Sequence, residues 1–176
     1  MINLLLALSV ATAQSGSAAP LMVHADVVRP LGSRTTEEQA VRKAVTDVYA
    51  VISGPAGQKR DWNRMKTLFT PDARLYAVGR QGLQGGSVDD YISRSGATLE
   101  RVGFTERELT RRIEIYGSVA QVWSSYAGTS TDGSVNVRGI NSFQLARQVD
   151  GRWLVHSIFW QAENPALPLP TDMEAR

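Results

Sequence analysis

The stretch "RGINSFQLARQVDGRWLVHSIFWQ", Arg138 to Gln161, decides the fold class. Two runs rich in large apolar residues flank Asp150-Gly151, a dipeptide suited to a two-residue type I′ hairpin turn. That turn sets Leu145 opposite His156, Phe143 opposite Ile158 and Asn141 opposite Trp160 on one side of the hairpin. Gln148 with Trp153, Gln144 with Ser157, Ile140 with Gln161 and Arg138 with Glu163 fall on the other. The first set is the more apolar and is expected to be buried. Asn141 and His156 then point inward, where each needs a hydrogen-bond partner or a wet cavity. A single bulge would exchange the two sets beyond it.

A second hairpin precedes this one. With Gly117-Ser118 as its turn, Tyr116 faces Val119, Ile115 faces Ala120, Ile113 faces Val122, Arg111 faces Ser124 and Leu109 faces Tyr126. The inner face carries Arg111, and a buried guanidinium requires an anion from the protein or from a ligand. Trp123 falls on the opposite, wetter face.

Upstream the period changes from two to that of a helix. Thr35 and Glu38 form a capping box for an amphipathic helix through Val41, Val45, Val48, Tyr49 and Ile52. Ser53-Gly54-Pro55 stops it. Asp61 caps a short helix through Leu68, with Trp62 and Met65 on its buried side. A strand follows at Ala73 to Val78. Gly79 to Gly86 reads as a flexible loop, and Ser87 with Asp90 caps a third helix to about Arg101. From Glu106 onward four strands follow. Helices first and antiparallel strands afterwards define an α+β fold, with three N-terminal helices packed on an antiparallel sheet.

With 176 residues and 43% hydrophobic content, the chain can bury one substantial core. Lys and Arg number 19 against 17 Asp and Glu, and the basic residues are scattered, which gives no footprint for nucleic acid. The absence of cysteine excludes disulfides, thiolate metal sites and a Cys nucleophile. Two isolated histidines give no metal site, and no motif implies a cofactor.

The amino terminus carries a short apolar run, Leu4 to Val10, before Ala11-Thr12-Ala13. Residues 1–13 are the expected signal peptide, cleaved after Ala13, which implies a periplasmic or secreted protein. The run is too short to span a bilayer. Residues 14–33 read as a tether, 34–164 as the domain, and 165–176 as a Pro-rich tail packing along the sheet or a partner.

Asp61-Trp62, Leu68-Phe69-x-x-Asp72-Ala73, Val119-Ala120-x-Val122-Trp123-Ser124-x-Tyr126 and Gly151-Arg152-Trp153-x-Val155 to Trp160 together resemble the NTF2-like superfamily, particularly its SnoaL-like bacterial members. The resemblance implies a cone in which a curved sheet wraps helices around a pocket, with dimers forming through the sheet's outer face. Members include isomerases, dehydratases and cyclases as well as binding and assembly proteins, so the fold does not give the function. Ketosteroid isomerases place an Asp base where this chain has Tyr76 and Ala77.

The expected pocket is bounded by Arg111, Ser124, Tyr126, Asn141, His156 and Trp160, and roofed by Tyr49, Trp62 and Tyr91. The leading reading is binding of a small hydrophobic or partly polar molecule. A lyase or isomerase using His156 as acid/base, helped by Tyr126 or Asp61, is a second reading. A structural dimer with a collapsed pocket is a third. Asp61 and His156 also have plain structural roles, as a helix cap and a core-edge histidine, and Glu106 reads either as a rim carboxylate of the pocket or as a structural salt-bridge partner of a neighbouring Arg.

Overall fold

The computed structural model describes residues 31–175. The expected signal peptide and nearly all of the tether lie outside the described residues. Helix α1 runs Leu31–Ile52 and α2 Trp62–Thr67. Strands β1 (Phe69–Gly79) and β2 (Gly82–Gly86) precede α3 (Val88–Val102), after which β3 (Phe104–Tyr116), β4 (Val119–Ser130), β5 (Asn136–Arg147) and β6 (Trp153–Ala162) follow. The strands form one six-stranded curved sheet in the order β2-β1-β6-β5-β4-β3.

Three expectations are corrected. Among the described residues only two helices precede the sheet, because α3 comes after the β1-β2 hairpin. The glycine-rich segment expected as a loop contributes β2, pairing Leu75 with Gly86 through Gly79 with Gly82. The sheet is mixed, since β1 lies parallel to β6. In addition, α1 begins at Leu31, so Thr35 lies within the helix instead of capping it. The other caps match the chemistry of their residues: the Asp61 side chain accepts from the Arg64 amide, and Ser87 and Asp90 form a reciprocal capping box.

Both hairpins depart from regular pairing in ways that control which side chains face inward. In the β5-β6 hairpin, the amide of Gln148 donates to the carbonyl of Arg152 and that of Gly151 to the carbonyl of Gln148. The connection is therefore a three-residue loop closed by Gly151 at φ 87°. The loop shifts the register by one, setting Arg147 against Trp153 and Leu145 against Val155. Trp153 is consequently buried, although the two-residue turn would have placed it outside. A bulge between Gln144 and Leu145 then leaves His156 as the extra residue, and the original register returns with Phe143 opposite Ile158 and Asn141 opposite Trp160.

In β3-β4 the expected register holds from the turn to Arg111 opposite Ser124. Beyond that point Leu109 is the extra residue, so Glu108 rather than Leu109 faces Tyr126, and Glu106 faces Gly128. The bulge turns two carboxylates toward the concave side, where alternation alone would have put Leu109 and Arg107.

The core joins Val41, Val45, Val48 and Ile52 of α1 to Val122, Phe143, Leu145, Val155 and Ile158 of the sheet. The α1-α2 connection is pinned by Arg60, whose buried guanidinium donates to the carbonyls of Ile52 (3.1 Å), Gln58 (2.6 Å) and Gly54 (2.6 Å). Glu100 of α3 accepts from the Arg60 amide, the Lys59 ammonium and the Trp62 indole. This cluster holds α1, α2 and α3 at fixed spacing over the sheet. At the other end, Glu37 of α1 takes an ion pair from Arg147 (2.5 Å) and a hydrogen bond from the Trp153 indole (2.8 Å). The C-terminal segment lies on the sheet, with Leu169 and Met173 buried and the Met173 carbonyl accepting from Ser125 Oγ at 2.6 Å.

Arg60→Met removes the guanidinium while keeping much of its volume, orphaning several buried carbonyls. Chemical denaturation is expected to show a loss of about 2–4 kcal/mol, whereas Lys59→Met, at an exposed ammonium, changes stability by less than about 1 kcal/mol.

Candidate functional site

A cavity of about 400 Å³ lies between the concave face of the sheet and the three helices. Its walls are mainly apolar: Val48 and Ile52 from α1, Met65 from α2, Leu75 from β1, Leu99 from α3 and Phe143 and Ile158 from the sheet. The polar groups that reach it are few. They are Glu106, Asn141, Tyr49, Tyr91, Tyr126, Ser95 and Thr98, with Trp160 beside them. Among the described residues, no Lys, Arg or His lines it.

The polar end is organised by one hydrogen-bonded chain. Asn141 Nδ2 donates to Glu106 Oε1 and to the Tyr49 hydroxyl, each at 3.0 Å. Tyr49 and Ser124 are joined at 2.8 Å, and Ser124 Oγ donates to Glu108 Oε1 at 2.5 Å. A serine hydroxyl has one proton, and here Glu108 takes it, so Tyr49 must donate to Ser124. The chain therefore runs in one direction, from Asn141 through Tyr49 and Ser124 to Glu108, and Arg111 closes it by pairing with Glu108. Burial pushes the Glu108 carboxyl up, opposed by the Ser124 hydroxyl and by Arg111. Burial also pushes the Tyr49 phenol up.

Glu106 stands apart. Its Oε1 accepts from Asn141, and no other group among the described residues bonds its side chain. It keeps accessible surface because it faces the cavity, yet it lies deep within the molecule. Burial raises its carboxyl from 4.5 to about 7, against a smaller lowering by the Asn141 amide. The phenols of Tyr91 and Tyr126 are raised mainly by burial and further by the nearby Glu106 charge. Neither hydroxyl has a hydrogen-bond partner among the described residues, so both remain available to an occupant. Gly139 faces Tyr126 across β4-β5, and a Cβ there would meet the Tyr126 hydroxyl at 2.8 Å. The glycine thus makes room for the phenol.

Of the residues expected at the pocket, Tyr49, Tyr91, Tyr126, Asn141 and Trp160 line the cavity. The inward placement of His156 is corrected. As the bulge residue it points outward, is exposed, and sits 3.0 Å from Thr70 Oγ1 and 3.7 Å from Asp72. Asp61 caps α2 and is exposed, away from the cavity. Arg111 lies outside the lining, held by Glu108 and donating to the Arg42 carbonyl at 3.3 Å. Ser124 is fully buried behind Tyr49. Trp62 packs between α2 and α3 against Gly96, with its indole on Glu100. Glu106 takes the role that sequence reasoning gave to His156, as the titratable group facing the cavity. Its only sequence signal was its position just after the "GF" that opens β3.

Among the described residues no cluster of His, Asp and Glu could hold a metal ion, and no helix is long and apolar enough to cross a membrane.

The sequence matches no family model and no curated protein. Solved structures share its fold. A Mycobacterium tuberculosis protein of unknown function is 17% identical, with 84% of this chain and 81% of that chain covered and a TM-score of 0.63. A candidate dehydratase of the NTF2-like family from Streptomyces avermitilis is also 17% identical, covering 74% and 99% with a TM-score of 0.59. An NTF2-like protein from Shewanella baltica is 21% identical, covering 74% and 96% with a TM-score of 0.52. These likenesses establish an NTF2-like α+β fold.

The pH dependence of stability follows from Glu106. Its carboxyl is raised on folding, so the native state holds the proton more tightly than the unfolded chain. The stabilisation is fully present below about pH 4.5 and is lost as pH rises through about 7. Glu106→Gln is expected to be more stable than wild type by up to about 3 kcal/mol at alkaline pH, with the difference vanishing in acid. Urea denaturation across that range measures it, and parallel curves for the two proteins would contradict it.

Proposed function

We propose that the cavity binds a small, partly apolar molecule whose body packs against the helices and the concave sheet and whose polar group meets Glu106. The observation that carries this reading is an apolar hollow with a few convergent polar groups, two phenols and a carboxylate oxygen among them, that the protein itself does not satisfy. Ligand sites generally combine an apolar lining with such sparse anchors. The finer SnoaL-like kinship suggested by the motifs belongs to this reading, as do pairing of two copies through the outer sheet face and export with cleavage after Ala13. Phe159 and Leu167, both exposed, are the apolar residues on offer for such pairing.

A second reading, proton transfer of the lyase or isomerase kind, is favoured by one observation. A carboxyl raised to about 7 can both accept and release a proton near neutral pH, as acid/base catalysis requires. In this reading Glu106 is the acid/base group, and Tyr91 and Tyr126 are the adjacent donors. The earlier assignment to His156 would need a substrate outside the cavity.

Thermal stabilisation by a library of apolar metabolites tests the binding reading. Wild type is expected to gain on the order of 1–3 kcal/mol from a saturating ligand, and Ala77→Phe, which fills the cavity, is expected to gain nothing. Equal responses from the two proteins would overturn it. Native mass spectrometry of the protein recovered from its source reports cargo, oligomer and amino terminus together. On any substrate found to be turned over, Glu106→Gln is expected to lower kcat by at least about 100-fold, while His156→Ala changes it by less than about twofold.

A further inference from the structure

We infer that the occupant of this cavity is a small organic cation, an amine on an apolar body, with its ammonium against Glu106 and the rings of Tyr91, Tyr126 and Trp160 beside it. This inference rests on the binding reading above and narrows it to one ligand chemistry.

The first argument is an unbalanced charge. Each of the other buried or half-buried glutamates among the described residues is answered by a cation: Glu37 by Arg147, Glu38 by Arg42, Glu100 by Lys59, Glu108 by Arg111 and Glu163 by Arg138. Glu106 is the exception. Among the described residues it has one amide donor and no cation, in a cavity to whose lining they contribute no Lys, Arg or His. A carboxylate removed from water without a counter-charge is costly, and a ligand cation is the partner that offsets the cost most directly.

The second argument concerns the surroundings of that carboxyl. Tyr91 and Trp160 meet edge to face with ring centroids 6.4 Å apart. Trp160 is paired across β5-β6 with Asn141, the residue that bonds Glu106. Tyr126 and Tyr91 both lie within reach of the Glu106 charge. Aromatic faces attract a cation, and the effect grows when water is excluded. Glu108, two residues along the same strand, is already neutralised by Arg111. An anionic ligand would face Glu106 with nothing to neutralise it.

The groups that face Glu106 are Tyr49 from α1, Tyr91 from α3, Tyr126 from β4 and Asn141 from β5, with Glu108 and Arg111 farther along its own strand. The phenols are all raised and stay neutral across the working range, so Glu106 is the group that titrates with binding. An amine needs it ionised, whereas a neutral alcohol gains most when it is protonated and can donate.

The test uses matched amines, alcohols and carboxylates built on phenyl, indolyl and octyl skeletons, titrated calorimetrically into the whole protein and into Glu106→Gln. Circular dichroism confirms that the variant is folded. On at least one skeleton the amine is expected to bind at least about tenfold more tightly than its alcohol at about pH 8, with affinity rising as pH increases through about 7. Glu106→Gln is expected to lose at least about tenfold for the amine and to keep the alcohol within about threefold. An alcohol that binds as well as the amine, or an amine indifferent to Glu106→Gln, overturns the cation inference and leaves the binding reading standing. Failure of every compound to bind overturns the reading beneath it.

Discussion

The cavity depends on the hydrogen-bonded tie between α1 and the middle of the sheet. Tyr49 reaches from the helix to Ser124 and Asn141 on adjacent strands, and all three side chains are buried. Because Ser124 gives its proton to Glu108, the direction of every bond upstream is set, and Asn141 is left with its amide protons on Tyr49 and Glu106. Buried hydrogen bonds linked in this way reinforce one another and hold the helix to the strands. It fixes the distance of α1 from the sheet at one end, while the Arg60-Glu100 cluster fixes α3 at the other. The space between them is spanned by polar contacts at its ends and left open in the middle.

Much of this was legible in the sequence. The hairpin at Asp150-Gly151, the caps at Asp61 and Ser87, and the register from Tyr116 to Arg111 all rest on local chemistry, and local chemistry decides them. The pairing of Asn141 with Trp160 was read correctly although the turn was not, since the longer loop and the bulge at His156 cancel. Between those two irregularities the faces of β6 were reversed, which is why Trp153 was expected outside and His156 inside, while Leu145 on β5 is buried as expected. No residue type at Leu109 or His156 announces a bulge. Whether a strand takes an extra residue is settled by the curvature of the whole sheet, a property of six strands that no one segment encodes.

The same limit hid Glu106. Read with strict alternation it faces away from the core, and its sequence neighbours Arg107 and Arg111 invite a surface ion pair. A one-residue insertion is enough to move a carboxylate from solvent to an apolar hollow and to shift its titration to about 7. Proteins of this fold with little sequence in common can therefore differ in chemistry through strand irregularities as much as through residue identity, and likeness of fold carries no function with it.

The compensated hairpin between β5 and β6 has a wider consequence. The surplus residues sit where pairing does not count them, in the loop and at the bulge. Removing His156 alone would make Val155 and Ser157 consecutive and leave their partners, Leu145 and Gln144, unchanged, and shortening the loop by one would still close on Gln148 and Arg152. An alignment of related chains that puts a gap anywhere else in β6 would misassign which side chains see the interior, even where every letter matches.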